Sequence, residues 1–102
     1  MVLNNTYLNF LGLARKAGKL IAGTEKAKAL INKNQAQLIL LANDISQKTE
    51  KEFVFLAKEK FKVIRTEYSL DELSNALGVR AGIFTVTDKN FAEQIILKGG
   101  RF

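Results

Sequence analysis

A layered α/β sandwich is the fold class this sequence predicts, and three observations predict it. Segments whose apolar residues recur at helical spacing alternate along the chain with short apolar runs of strand length. Glycines and cap-forming residues punctuate the boundaries between them. At 102 residues the chain is long enough to bury about two-thirds of the surface its unfolded form would expose, so one domain, residues 1–102, can hold a single core. Strands separated by helices imply a largely parallel or mixed sheet.

The first helix is expected over residues 6–17, where Tyr7, Phe10, Leu11, Ala14 and Ala17 share a stripe and Gly18 follows as a C-terminal cap. Arg15 and Lys16 fall in its last turn, a position that suits cations on dipole grounds alone. "KLIAG" reads as a short strand ending at Gly23, after which Thr24 is expected to cap a second helix reaching Lys33 and burying Ala27, Leu30 and Ile31. "QLILLA", residues 37–42, is a continuous apolar run, as in a strand covered on both faces. The third helix is expected from Ser46 or Gln47 to Phe61, with Phe53, Leu56, Ala57 and the stem of Lys60 on one stripe. "KVIRT" is the third strand, and "SLDELSNALG" is a short helix with a Ser69–Glu72 capping box and a stop at Gly78. "GIFTVT" is the fourth strand. Asp88 then caps a last helix whose Phe91, Ala92, Ile95 and Ile96 face inward, and the tail "KGGRF" is expected to fray.

Composition removes most chemistry. The chain has no cysteine and no histidine, so thiolate nucleophiles, imidazole bases, disulfides and the commonest metal ligands are excluded. No catalytic residue, metal or cofactor is expected. No segment approaches the roughly 20 apolar residues of a membrane span, and nothing at the N-terminus resembles a secretion signal. A soluble cytoplasmic protein is expected.

Charge is informative because it is uneven. Residues 1–33 hold Arg15, Lys16, Lys19, Lys26, Lys28 and Lys33 against Glu25 alone, so they carry five of the six net positive charges. A clustered surplus focuses a field that suits a polyanion, whereas a dispersed one serves mainly solubility. Within this third, "GTEKAKALIN" sets Lys26 and Lys28 in the opening turns of a helix, where unpaired amides and the helix dipole already carry positive charge and acids are favoured. A phosphate accounts for that choice. Gly23 would let a sugar-phosphate backbone approach, Thr24 and the next amides would donate hydrogen bonds, and the lysines would neutralise charge. A plain cap with solvated lysines is the competing account of the same residues. The stretch lacks the G-K-[ST] ending of a P-loop and the spaced glycines of a dinucleotide site. Asp44 fits a turn or the cap of the third helix better than a catalytic carboxylate.

The segments "FLGLARKAGKLIAG", "KAKALINKNQAQLILLANDIS" and "AGIFTVTDKNFAEQI" resemble, in order and spacing, the bacterial YlxQ-like group of the ribosomal-protein family whose archaeal and eukaryotic members bind kink-turn RNA. The resemblance spans nearly the whole chain and is loosest over residues 60–80. It implies an αβα sandwich around a four-stranded mixed sheet, RNA binding and no catalysis. It also implies that the loop after the first strand enters an RNA groove through a G-x-N-E-x-x-K pattern. Gly23 and Thr24 match that pattern. Glu25 and Lys26 replace its asparagine and acid, while Ala29 replaces its lysine, with Lys28 one position earlier. Phosphate binding survives those departures, and readout of sheared G·A pairs is altered or lost.

The resemblance implies a second contact, an apolar loop over an extruded nucleotide, which maps to Gly78, Val79, Arg80 and Ala81. Val79 could equally anchor the turn. Arg15, Lys16 and Lys19 are expected to flank the same face. The implied partner is a structured RNA, either ribosomal RNA or another non-coding RNA, with ribosomal proteins as further neighbours of a monomeric chain. The rival from another class is a small phosphate compound held at the same helix start, by a binding domain or an enzyme.

Overall fold

The computed structural model describes residues 6–99, in which helices and strands alternate. They are α1 (Thr6–Lys16), β1 (Leu20–Ala22), α2 (Thr24–Asn32), β2 (Leu38–Leu41), α3 (Gln47–Ala57), β3 (Lys62–Arg65), α4 (Leu70–Leu77), β4 (Ile83–Val86) and α5 (Lys89–Gly99). The strands form one mixed sheet in the order β1-β4-β2-β3, with β4 antiparallel to both β1 and β2, and β2 parallel to β3. Residues 100–102 of the tail, where fraying is expected, lie outside the described residues.

Strand alternation sorts the core into two layers, because neighbouring side chains point to opposite faces. Leu38, Leu40, Phe84 and Val86 pack with Leu11, Ala14, Leu73 and Ile95, so α1, α4 and α5 cover one face. Ile39, Leu41 and Ile83 pack with Ala27 and Phe53, so α2 and α3 cover the other. This is the three-layer αβα sandwich. β2 is buried along its whole length, as its unbroken apolar run requires.

Helix ends follow local chemistry in most places. α1 closes at Gly18 (φ +76°), where Gly18 N–H donates to Arg15 O and Lys19 N–H to Ala14 O, the paired bonds of a left-handed stop. The capping box of α4 forms as expected, and Gly78 (φ +73°) ends it. Asp88 Oδ2 accepts from Phe91 N–H at 2.9 Å at the start of α5. Leu30 and Ile31 of α2 are only half-buried, unlike Ala27.

α3 departs from expectation. It stops at Ala57 rather than Phe61, and Lys58 and Glu59 take left-handed conformations (φ 50° and 64°). The sheet sets this limit, since Lys62 must already stand beside Leu38 in the parallel β2–β3 register. Two non-glycine residues accept strain of about 1–2 kcal/mol each to make the turn. Lys60 therefore leaves the helical stripe, is exposed, and reaches Asn34 Oδ1 at 3.4 Å.

Topology decides what meets what. Gly23 N–H donates to Ile83 O at 2.9 Å, so the start of α2 stands beside the start of β4 and the Gly78–Gly82 loop that leads into it. The segments leaving β2 and β3 reach the same end, where Asn43 N–H donates to Tyr68 O at 2.7 Å. At the other end, Thr87 N–H donates to Lys19 O.

Candidate functional site

The site is built on the first turn of α2. The expected cap, Thr24, is itself the first helical residue, and the cap position belongs to Gly23 at φ 118°, ψ 149°. Only glycine is at ease there, because β1 must end its pairing and turn directly into a helix axis. A Cβ on Gly23 would meet nothing within 4 Å, so conformation rather than crowding selects the residue. Glycine brings no side chain to cap the helix, and none arrives from elsewhere among the described residues. The first amide satisfied within the helix is that of Ala27, bonded to Gly23 O at 3.1 Å. The amides of Thr24, Glu25 and Lys26 thus have no acceptor among the described residues, and all three residues are exposed.

The cations divide into three groups. Lys26 is exposed and makes no ion pair among the described residues. Lys28 is engaged, its Nζ 2.9 Å from Glu52 Oε2 of α3, and that hydrogen bond raises its pKa above the ordinary lysine value. Arg80 is engaged as well, with Nη1 2.8 Å from Asp71 Oδ1. Both pairs are open to water and therefore weak, so a phosphate can compete for either cation. Arg15, Lys16 and Lys19 lie elsewhere. β1 (Leu20–Ala22) separates Lys19 from Gly23, and four steps of extended chain span about 13 Å, so these three sit toward the opposite end of the sheet. The expectation that they flank the Gly23 face is corrected by the direction of that strand.

The second expected contact, Gly78 to Ala81, belongs to the Gly78–Gly82 loop, which the fold holds in place. Ser74 Oγ accepts from Ala81 N–H at 3.1 Å and donates to Ala81 O at 3.2 Å. A Cβ on Gly82 would stand 2.8 Å from Ile45 Cδ1 and 3.0 Å from Leu70 Cδ1, so a larger residue there would have to push aside the ends of those two side chains. Val79 and Ala81 are half-buried against the α1–α4–α5 core, while Arg80 is exposed at the tip. Val79 anchors the turn and keeps only part of its surface for a ligand. The structure brings Gly23, Thr24, Glu25, Lys26, Val79, Arg80 and Ala81 to one end, with Lys28 one turn deeper.

Sequence reasoning missed the groups that tune these residues. Glu52 and Asp71 neutralise Lys28 and Arg80, and Ser74 and Gly82 shape the loop. Of these, only a glycine directly before an apolar strand is a signal a sequence offers. Asp44 neither caps α3, which Ser46 does, nor sits free; its Oδ1 accepts from Leu70 N–H at 2.9 Å at the start of α4. Among the described residues, no cluster of three or more acidic side chains could hold a metal, and no helix is long and apolar enough to cross a membrane.

Comparison with known proteins agrees with this architecture. A solved structure of a protein with unknown function from Bacillus halodurans C superposes with a TM-score of 0.84, covering 92% of this chain and 96% of that one at 23% identity, a likeness of fold. The RNA-binding protein YlxQ of Enterococcus faecium is 32% identical over 91 residues, 85% of this chain and 84% of the relative. The protein of the same name from Bacillus subtilis (strain 168) is 31% identical over 91 residues, 84% of this chain and 87% of that relative. Residues 6–96 match the family model, and the chain belongs to the ribosomal protein L7Ae/L30e/S12e/Gadd45 family.

Proposed function

We propose that this chain is a non-catalytic, cytoplasmic RNA-binding protein that docks a bent or internally looped RNA, of the kink-turn class or related to it, on the end of the sheet where α2 begins. The observation that carries this reading is the uncapped first turn of α2, whose three open amides stand beside an exposed lysine and the Gly78–Gly82 loop. A helix start of this kind binds a phosphate through N–H donors and dipole together. The names of the two curated relatives, both RNA-binding proteins, support RNA as the source of that phosphate. Lys26 supplies charge, Lys28 exchanges Glu52 for a phosphate, and Arg80 at the loop tip exchanges Asp71 for a phosphate or stacks on a splayed base. With Glu25 and Lys26 where the family pattern has asparagine and an acid, shape and backbone contribute more than base edges. Association with ribosomal RNA or translation belongs to the same proposal.

Crosslinking, sequencing the captured RNA and measuring its binding with and without its sheared G·A pairs tests the reading. A site engaging about five phosphates should show log K falling with log salt at a slope near −4. Equal affinity for a mononucleotide and for the folded RNA would instead favour a small phosphate ligand at the same amides. Binding insensitive to salt would remove the RNA reading.

A further inference from the structure

The RNA reading leaves unused a groove of about 430 Å³ between α1 and α4, on the face of the sheet away from α2. Its apolar walls are Leu8, Leu13, Ala76 and Leu77, with the polar Asn9 beside them, and Leu13 is 58% exposed although large and aliphatic. Gly12 lies between them, inside a helix, where glycine is less stable than alanine. A Cβ at Gly12 would meet nothing within 4 Å, so the protein's own packing does not require glycine there. Its bare backbone widens the groove. Arg15 and Lys16 border the same groove, exposed and without an ion pair among the described residues. No acidic residue lines it, and α1 contains none.

We propose that the α1–α4 groove docks an acidic amphipathic helix of a protein partner. One apolar side chain seats over Gly12 between Leu13 and Ala76, and carboxylates on the flanks of that helix meet Arg15 and Lys16. The chemistry selects this occupant. An apolar slot with a cationic rim complements an apolar stripe bordered by acids. Nucleic acid fits less well, since no aromatic ring lines the groove to stack a base. A second copy fits less well, because its ten acids are outnumbered by sixteen lysines and arginines and two such chains repel.

The test is an NMR titration of the intact chain with a synthetic helix-forming peptide carrying leucines at i, i+3 and i+7 flanked by glutamates. Saturable shifts at Gly12, Leu13, Arg15, Lys16 and Ala76 are expected. Gly12→Gln fills the groove while favouring the helix, so the fold is not in question, and it should weaken the peptide about tenfold. Arg15→Glu with Lys16→Glu should weaken it by a similar factor, and Lys26→Ala should leave it unchanged. Absence of saturable shifts in the groove, or indifference to Gly12→Gln, overturns the proposal. Displacement of the peptide from these residues by a single-stranded uridine oligomer would assign the groove to RNA and also overturn it.

Discussion

Two helices start at the same end of the sheet and are finished in opposite ways. At the start of α4, Ser69 Oγ accepts from Glu72 N–H, Glu72 Oε1 accepts from Ser69 N–H, and Asp44 Oδ1 accepts from Leu70 N–H. At the start of α2 no side chain among the described residues accepts from the first three amides. One helix start is closed by the protein's own acids and hydroxyl, and the other is left as donors beside a free lysine. A chain that caps α3, α4 and α5 with side chains leaves the start of α2 open, and the proposed RNA contact rests on that contrast.

The largest way to disturb this contrast acts on the closed end. Tyr7 stacks on Tyr68, just before Ser69, with ring centroids 5.9 Å apart. Burial, and then the charges of Tyr68 and Glu67, push the Tyr7 pKa from 10.0 up to about 12. Ionisation is therefore resisted by the fold, and the associated stability is intact below pH 10 and lost as pH rises from 10 to 12. The loss should reach roughly 2–3 kcal/mol in urea melts, and Tyr7→Phe should remove that part of the alkaline limb. Amides of the α4 start should lose hydrogen-exchange protection over that range.

The next effect acts on the open end. Gly23→Ala forces φ 118° on a residue with a Cβ and should cost about 1–3 kcal/mol by thermal melt, with an RNA affinity loss larger than the stability change accounts for. Unchanged affinity would mean that the α2 amides do not touch the ligand. Ser69→Ala should cost about 1 kcal/mol of stability and leave RNA binding as it was, because the bond it removes, from Glu72 N–H to Ser69 Oγ, is made within the fold.

Lys26→Ala should lower affinity and reduce the salt slope by about 0.9, whereas Lys28→Ala should do less, since Glu52 already neutralises much of that lysine's charge in the free protein. The reverse order would mean that the Glu52 pair does not persist in solution. Glu25→Gln gives the smallest change and an informative sign. Removing an acid from the first turn of α2 should cost about 0.3–1 kcal/mol of stability while tightening RNA binding.

Sequence alone determined the fold class, the stops at Gly18 and Gly78, the Ser69 and Asp88 caps, and the buried β2, because each rests on local chemistry or on apolar spacing within a few residues. It also pointed to the amides after Gly23, since a lysine-rich turn behind a glycine is itself a local pattern. Only the tertiary structure decided which cations are spent. Lys28 meets Glu52 across two helices, Arg80 meets Asp71 across a loop, and β1 carries Arg15, Lys16 and Lys19 away from the helix start they adjoin in sequence. The end of α3 at Ala57 was likewise beyond local reading, because the parallel β2–β3 register sets it and no glycine marks it. The physical reason is one of range: caps and turns act over three or four residues, whereas charge pairing and strand register join residues that the chain separates and the sheet reunites.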